Sequence, residues 1–130
     1  MLTVGSIVIR VDDLDRQVAF WTRALDYVIR EPADDDFVVL HSRAGMGVGP
    51  NISLDVHRSE RVLPPRIHLD LYAQDQRAEV ERLTALGARS VPLESRPEAD
   101  YVIMEDPEGN RFCVIDAAEW PGWERRIGPR

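Results

Sequence analysis

Apolar and polar positions alternate over residues 4–11: Val4, Ile7, Ile9 and Val11 favour strand, while Ser6, Val8 and Arg10 take the opposite face. Asp13 follows as an N-cap, and Leu14, Val18, Trp21 and Leu25 then recur at i, i+4, i+7 and i+11, one face of a helix. Asp26 and Pro32 bracket its exit. A short strand is expected over 27–31. A clearer one over 37–40 follows the acidic turn Asp34–Asp36, and residues 51–57 form another after the glycine-rich loop 45–50. Residues 58–65, ending in Pro64-Pro65, read as a linker because consecutive prolines exclude regular structure. The order then recurs. A strand is expected over 66–73 and a helix over 75–86 with Val80, Leu83 and Leu86 inward and Gly87 just past its end. Strands follow over 89–93, 100–105 and 111–116. The last two are joined by the turn Asp106-Pro107-Glu108-Gly109-Asn110, whose proline and glycine pre-set its backbone.

The recurrence is a repeat. Ser6 to His68, Asp13 to Asp75, Val18 to Val80 and Trp21 to Leu83 are each 62 positions, and Gly49–Ser53 lies over Gly109–Cys113 at an offset of 60. A period this long predicts two similar strand–helix–three-strand halves sharing one domain, with any site between them. The expected organisation is one domain over 1–130, with module one at 3–57, module two at 66–117 and a tail at 118–130. The tail's Trp120 and Trp123 lie outside the repeat and are read as packing onto the body or a partner chain.

Composition narrows the partners. A hydrophobic fraction of 44% suffices for a core, and a net charge of −7 argues against nucleic acid or an anionic membrane, which need clustered cations. Lysine is absent, so Arg carries every fixed positive side-chain charge. One cysteine, Cys113, excludes an internal disulfide. With no signal-peptide pattern and no apolar run of the roughly 18 residues a membrane span needs, the chain reads as a soluble cytoplasmic protein.

The duplicated unit, the strand Ile67-His68-Leu69-Asp70-Leu71, Leu86-Gly87-Ala88 at the helix exit, and the run from Asp106 to Val114 together resemble the vicinal oxygen chelate superfamily. This is the group of glyoxalases, bleomycin-resistance proteins and extradiol dioxygenases; the closest likeness is to its small glyoxalase-like members, over roughly residues 3–117. The resemblance implies an α+β fold of two βαβββ modules, with sheets around a concave cleft, helices outside and a homodimer as the usual assembly. It also implies four positions for a divalent ion in metal-dependent relatives, which fall here on Ser6, Ser53, His68 and Cys113. Relatives fill them with His and Glu. Serine hydroxyls supply none of the charge a hard ion needs, so the expectation is a protein without that metal or any other cofactor.

Strand alternation extends the candidates. If His68 faces the cleft, so do Asp70 and Tyr72; the repeat adds Ser6, Val8 and Arg10, and Ser53 brings Asn51 and Asp55. The candidate ligand-binding set is therefore Arg10, Asn51, Asp55, His68, Asp70, Tyr72 and Cys113. Arg10 and Asp70 are read as a pair across the pseudo-twofold, either structural or holding an anionic or carbonyl-bearing ligand. His41 and His57, at strand ends, are read as solvated. Cys113 is either a small buried apolar residue or a thiol activated by His68. Three functions compete: binding of a small metabolite or antibiotic-like ligand without metal; a lyase or isomerase using His68 as general base, with or without a divergent divalent-metal site; and a protein-interaction domain.

Overall fold

The repeat folds as two copies of one strand order. In the computed structural model, which describes residues 1, 4–56, 67–92 and 99–119, the first copy runs β1 (Ser6–Arg10), α1 (Leu14–Leu25), β2 (Tyr27–Ile29), β3 (Phe37–Ser42) and β4 (Asn51–Asp55). The second runs β5 (Leu69–Ala73), α2 (Gln76–Ala85), β6 (Arg89–Ser90), β7 (Tyr101–Glu105) and β8 (Arg111–Asp116). The fold is α+β: two mixed four-stranded sheets, ordered β1-β4-β3-β2 and β5-β8-β7-β6, with two helices. In each sheet the first strand runs parallel to the last, and the two middle connections are antiparallel. The chain divides into two compact units; described residues up to 56 fall in the first and 67–119 in the second.

The helix ends follow the expected chemistry. Asp13 accepts a hydrogen bond from the Arg16 amide at 3.1 Å, and Asp75 accepts one from the Ala78 amide at 3.0 Å, each satisfying an orphan donor. At the exit of α1, Asp26 stands in the left-handed region at φ 54°, where a non-glycine residue is strained. Arg43 holds it twice, through a backbone bond at 3.1 Å and a guanidinium–carboxylate pair at 2.8 Å. Gly87 takes the same role after α2 at φ 113°, where glycine carries no steric cost.

Each sheet buries one face under its helix. In the first unit Val38 pairs with Leu54 and Leu40 with Ile52, all buried, and α1 lies against β2, β3 and β4. The apolar stripe of α1 is rotated from the expected one: Gln17, Phe20 and Trp21 are the buried residues, while Leu14, Val18 and Leu25 are only half-buried. Phe20 and Trp21 meet edge-on with ring centroids 5.1 Å apart. In the second unit Met104 pairs with Phe112, and Leu83 is the buried residue of α2. Trp21 and Leu83, one repeat apart, are both buried.

The elements are shorter than the sequence pattern suggests. β1 loses residues 4, 5 and 11, although the Val11 amide still donates to the Asp55 carbonyl at 3.0 Å. β4 stops at Asp55, β2 at Ile29, and β5 begins at Leu69, whereas β3 extends to Ser42 because it has Tyr27 to pair with. The linker 58–65, His57 and the tryptophans of the tail lie outside the described residues.

Candidate functional site

The open face of the second sheet brings three ionisable side chains together. Its geometry starts at the β7–β8 turn. Asp106, fully buried, accepts hydrogen bonds from the amides of Glu108 (3.0 Å) and Asn110 (2.9 Å) and from Asn110 Nδ2 (2.8 Å). Gly109 at φ 88° completes the reversal. This turn sets the start of β8, and with it the place of Cys113, which lies directly opposite Asp70 in the parallel β5–β8 ladder and opposite Ile103 on β7. His68, two residues before Asp70, leans on the same side: its Nε2 is 3.1 Å from Asp70 Oδ1. One ligand atom each from His68, Asp70 and Cys113 falls within 4.8 Å of the others. The imidazole and carboxylate are 53% and 48% exposed, so the cluster is open to solvent, and Tyr72 continues the row at the exposed surface.

Burial first, and Asp70 after it, keep the thiol protonated. Burial pushes the Cys113 pKa up, and the Asp70 carboxylate raises it further, by its charge and as a hydrogen-bond acceptor. The group beside the sulfur is an anion, which holds the proton on it, and the imidazole faces Asp70.

In the first unit the equivalent positions carry different chemistry. Ser6 and Ser53 hydroxyls bond each other at 2.6 Å, with Ser53 buried. Two neutral hydroxyls that satisfy one another offer a divalent ion no charge, so the residues at the family's ligand positions in this unit do not fit the family's ion. Arg10 also finds its partner here: Nη1 donates to Asp55 Oδ2 at 2.9 Å on the adjacent strand, where β1 and β4 place them side by side. Within the first unit Arg10 therefore pairs with Asp55, and within the second His68 lies against Asp70. Asn51, opposite Ser6, is half-buried. His41 is also half-buried rather than solvated, with Nδ1 2.9 Å from the Ser42 carbonyl.

Strand alternation groups Asp70 with His68; what sequence alone does not give is that Cys113 lies directly opposite Asp70, which the β5–β8 register sets.

A family model described as a glyoxalase-like domain matches residues 6–115. The chain belongs to that family. Solved structures agree at the level of fold. A glyoxalase/bleomycin resistance protein/dioxygenase family enzyme from Burkholderia phytofirmans superposes with a TM-score of 0.71 at 15% identity, covering 88% of this chain and 98% of that one. A glyoxalase-related enzyme from Fulvimarina pelagi gives 0.67 at 16% identity over 93% and 92%. The fosfomycin resistance protein FosX from Listeria monocytogenes gives 0.67 at 17% identity over 98% and 97%. No curated protein matches the sequence significantly. This glyoxalase-like chain has no helix, among its described residues, long and apolar enough to cross a membrane.

Proposed function

We propose that this glyoxalase-like protein binds a small metabolite or antibiotic-like ligand, working as a homodimer in the cytoplasm and without the family's four-position ion. The observation that carries the reading is the solvent-open row His68, Asp70 and Tyr72 beside Cys113: an aromatic surface next to hydrogen-bonding groups of both kinds. Antibiotics enter the reading through a similar fold, since one neighbour is a fosfomycin resistance protein. The test is a thermal-shift screen of chelator-treated protein against aromatic and cationic metabolites and antibiotics, fosfomycin included. A ligand at about 100-fold above its Kd stabilises by about 2.7 kcal/mol, a rise in melting temperature on the order of 10 °C for a chain this size. Hits should weaken in Tyr72→Ala and His68→Ala. A screen in which no compound stabilises the protein sinks the reading.

One observation favours a second reading, a lyase or isomerase. Asp70 engages Nε2 of His68, which orients the ring and leaves Nδ1 as the nitrogen for substrate. In that case His68 is the general base, taking a proton beside a carbonyl, and Asp70 stabilises the imidazolium that results. Turnover unchanged in His68→Ala would remove His68 from the chemistry.

A further inference from the structure

We propose that His68, Asp70 and Cys113 form a binding site for a thiophilic divalent ion, zinc above all, built wholly from the second unit. The donor set is different from the four family positions: it drops both serines and adds Asp70. The inference goes beyond ligand binding and does not depend on it.

Topology makes the convergence durable. Asp70 and Cys113 are direct neighbours across a parallel ladder, and His68 sits two residues upstream on the same face. Asp70 and Cys113 therefore project from one two-strand frame, and His68 stands at the residue just before β5 begins. Ligand atoms at the usual zinc distances (roughly 2.0–2.3 Å) from a tetrahedral ion lie about 3.4–3.6 Å apart. The His68–Asp70 separation of 3.1 Å is already close to this, and the full set lies within 4.8 Å. Small rotations of the half-exposed imidazole and carboxylate close the difference.

The chemistry selects the ion. One thiolate, one carboxylate and one neutral imidazole carry two negative charges, which balance a divalent cation. Sulfur and nitrogen donors favour zinc over magnesium or calcium, which prefer shells of oxygen. On loading, the ion replaces the proton on Cys113 Sγ, and that proton passes to solvent. Three protein ligands leave a fourth tetrahedral position for water or an incoming ligand atom, the pattern of zinc sites that do chemistry rather than hold a fold together.

The test is titration of reduced, chelator-stripped protein with zinc and with cobalt(II), followed by metal analysis and absorption. The expected result is one equivalent bound per chain. Cobalt should show a thiolate-to-metal charge-transfer band that is lost in Cys113→Ser. His68→Ala and Asp70→Asn, at half-exposed positions, should each weaken zinc by more than about 100-fold, since even the loss of an outer-shell partner costs about 10–100-fold. Ser6→Ala and Ser53→Ala should leave affinity unchanged. No stoichiometric zinc, a cobalt complex without the thiolate band, or a loss of affinity in Ser6→Ala overturns the proposal. Because the ligand screen uses metal-free protein, failure of one leaves the other standing.

Discussion

Replacing Asp106 by alanine should destabilise the protein by about 3 kcal/mol. The side chain is fully buried and collects three donors: the Glu108 amide, the Asn110 amide and the Asn110 side-chain nitrogen, at 3.0, 2.9 and 2.8 Å. A buried donor left unmatched costs about 1–3 kcal/mol. Glu108 and Asn110 are half-buried, so water reaches part of what is exposed, and the low end applies to each donor. Three donors at that value give a loss of about 3 kcal/mol. Asp106→Asn retains one acceptor oxygen for the two amides but presents an NH2 group to Asn110 Nδ2, so it should cost about 1 kcal/mol. Urea unfolding measures both. With a slope of about 1–3 kcal/mol per M, the alanine variant should shift its midpoint by roughly 1.5 M at unchanged slope. An alanine variant within about 0.5 kcal/mol of the parent, or an asparagine variant as damaging as alanine, would refute the reasoning.

Trp21→Ala, emptying the space of the largest fully buried side chain, should cost about 3–5 kcal/mol in the same unfolding assay. Ser6→Ala should cost about 1 kcal/mol by stranding the buried Ser53 hydroxyl, and adding Ser53→Ala should cost little more; a double-mutant cycle that shows simple additivity contradicts the Ser6–Ser53 bond. Because the folded state raises the Cys113 pKa, the unfolded chain gives up this proton first. Stability from this group is intact below the ordinary thiol value of about 8.5 and is lost as pH rises from there through the folded value. Denaturation midpoints across alkaline pH should therefore fall less in Cys113→Ser. Burial also raises Tyr27, which adds loss of the same sign at higher pH, so the Cys113→Ser difference is the diagnostic quantity.

Much of the architecture was readable because it is written in local terms. The alternation of Ser6–Arg10, the caps Asp13 and Asp75, and the turn Asp106–Asn110 each depend on neighbours within a few residues, and each appears where the pattern put it. The misreadings arose where packing chooses. Spacing alone puts the stripe of α1 on Leu14, Val18, Trp21 and Leu25; the sheet below it buries Trp21 with Gln17 and Phe20 instead. Helical spacing tolerates either stripe; contact with β3 and β4 selects one. Strand ends were overextended because β-favourable residues such as Val4 and Val11 have no ladder partner in β1.

By itself, the sequence determined the duplication, the order of elements and the family, since a repeat of 62 positions and local capping chemistry survive without knowledge of the fold. The resemblance it carries implies that Ser6 and Ser53 stand where metal-dependent relatives hold ligands. Only the tertiary structure decided who touches whom. It joined Arg10 to Asp55, joined the two serines to each other, and set Asp70 beside both His68 and Cys113. The physical reason is register. A strand's side chains alternate by sequence, but which residue of the next strand lies opposite is fixed by the ladder between distant segments. Asp70 and Cys113 are 43 positions apart and meet only because β5 pairs with β8 in one register.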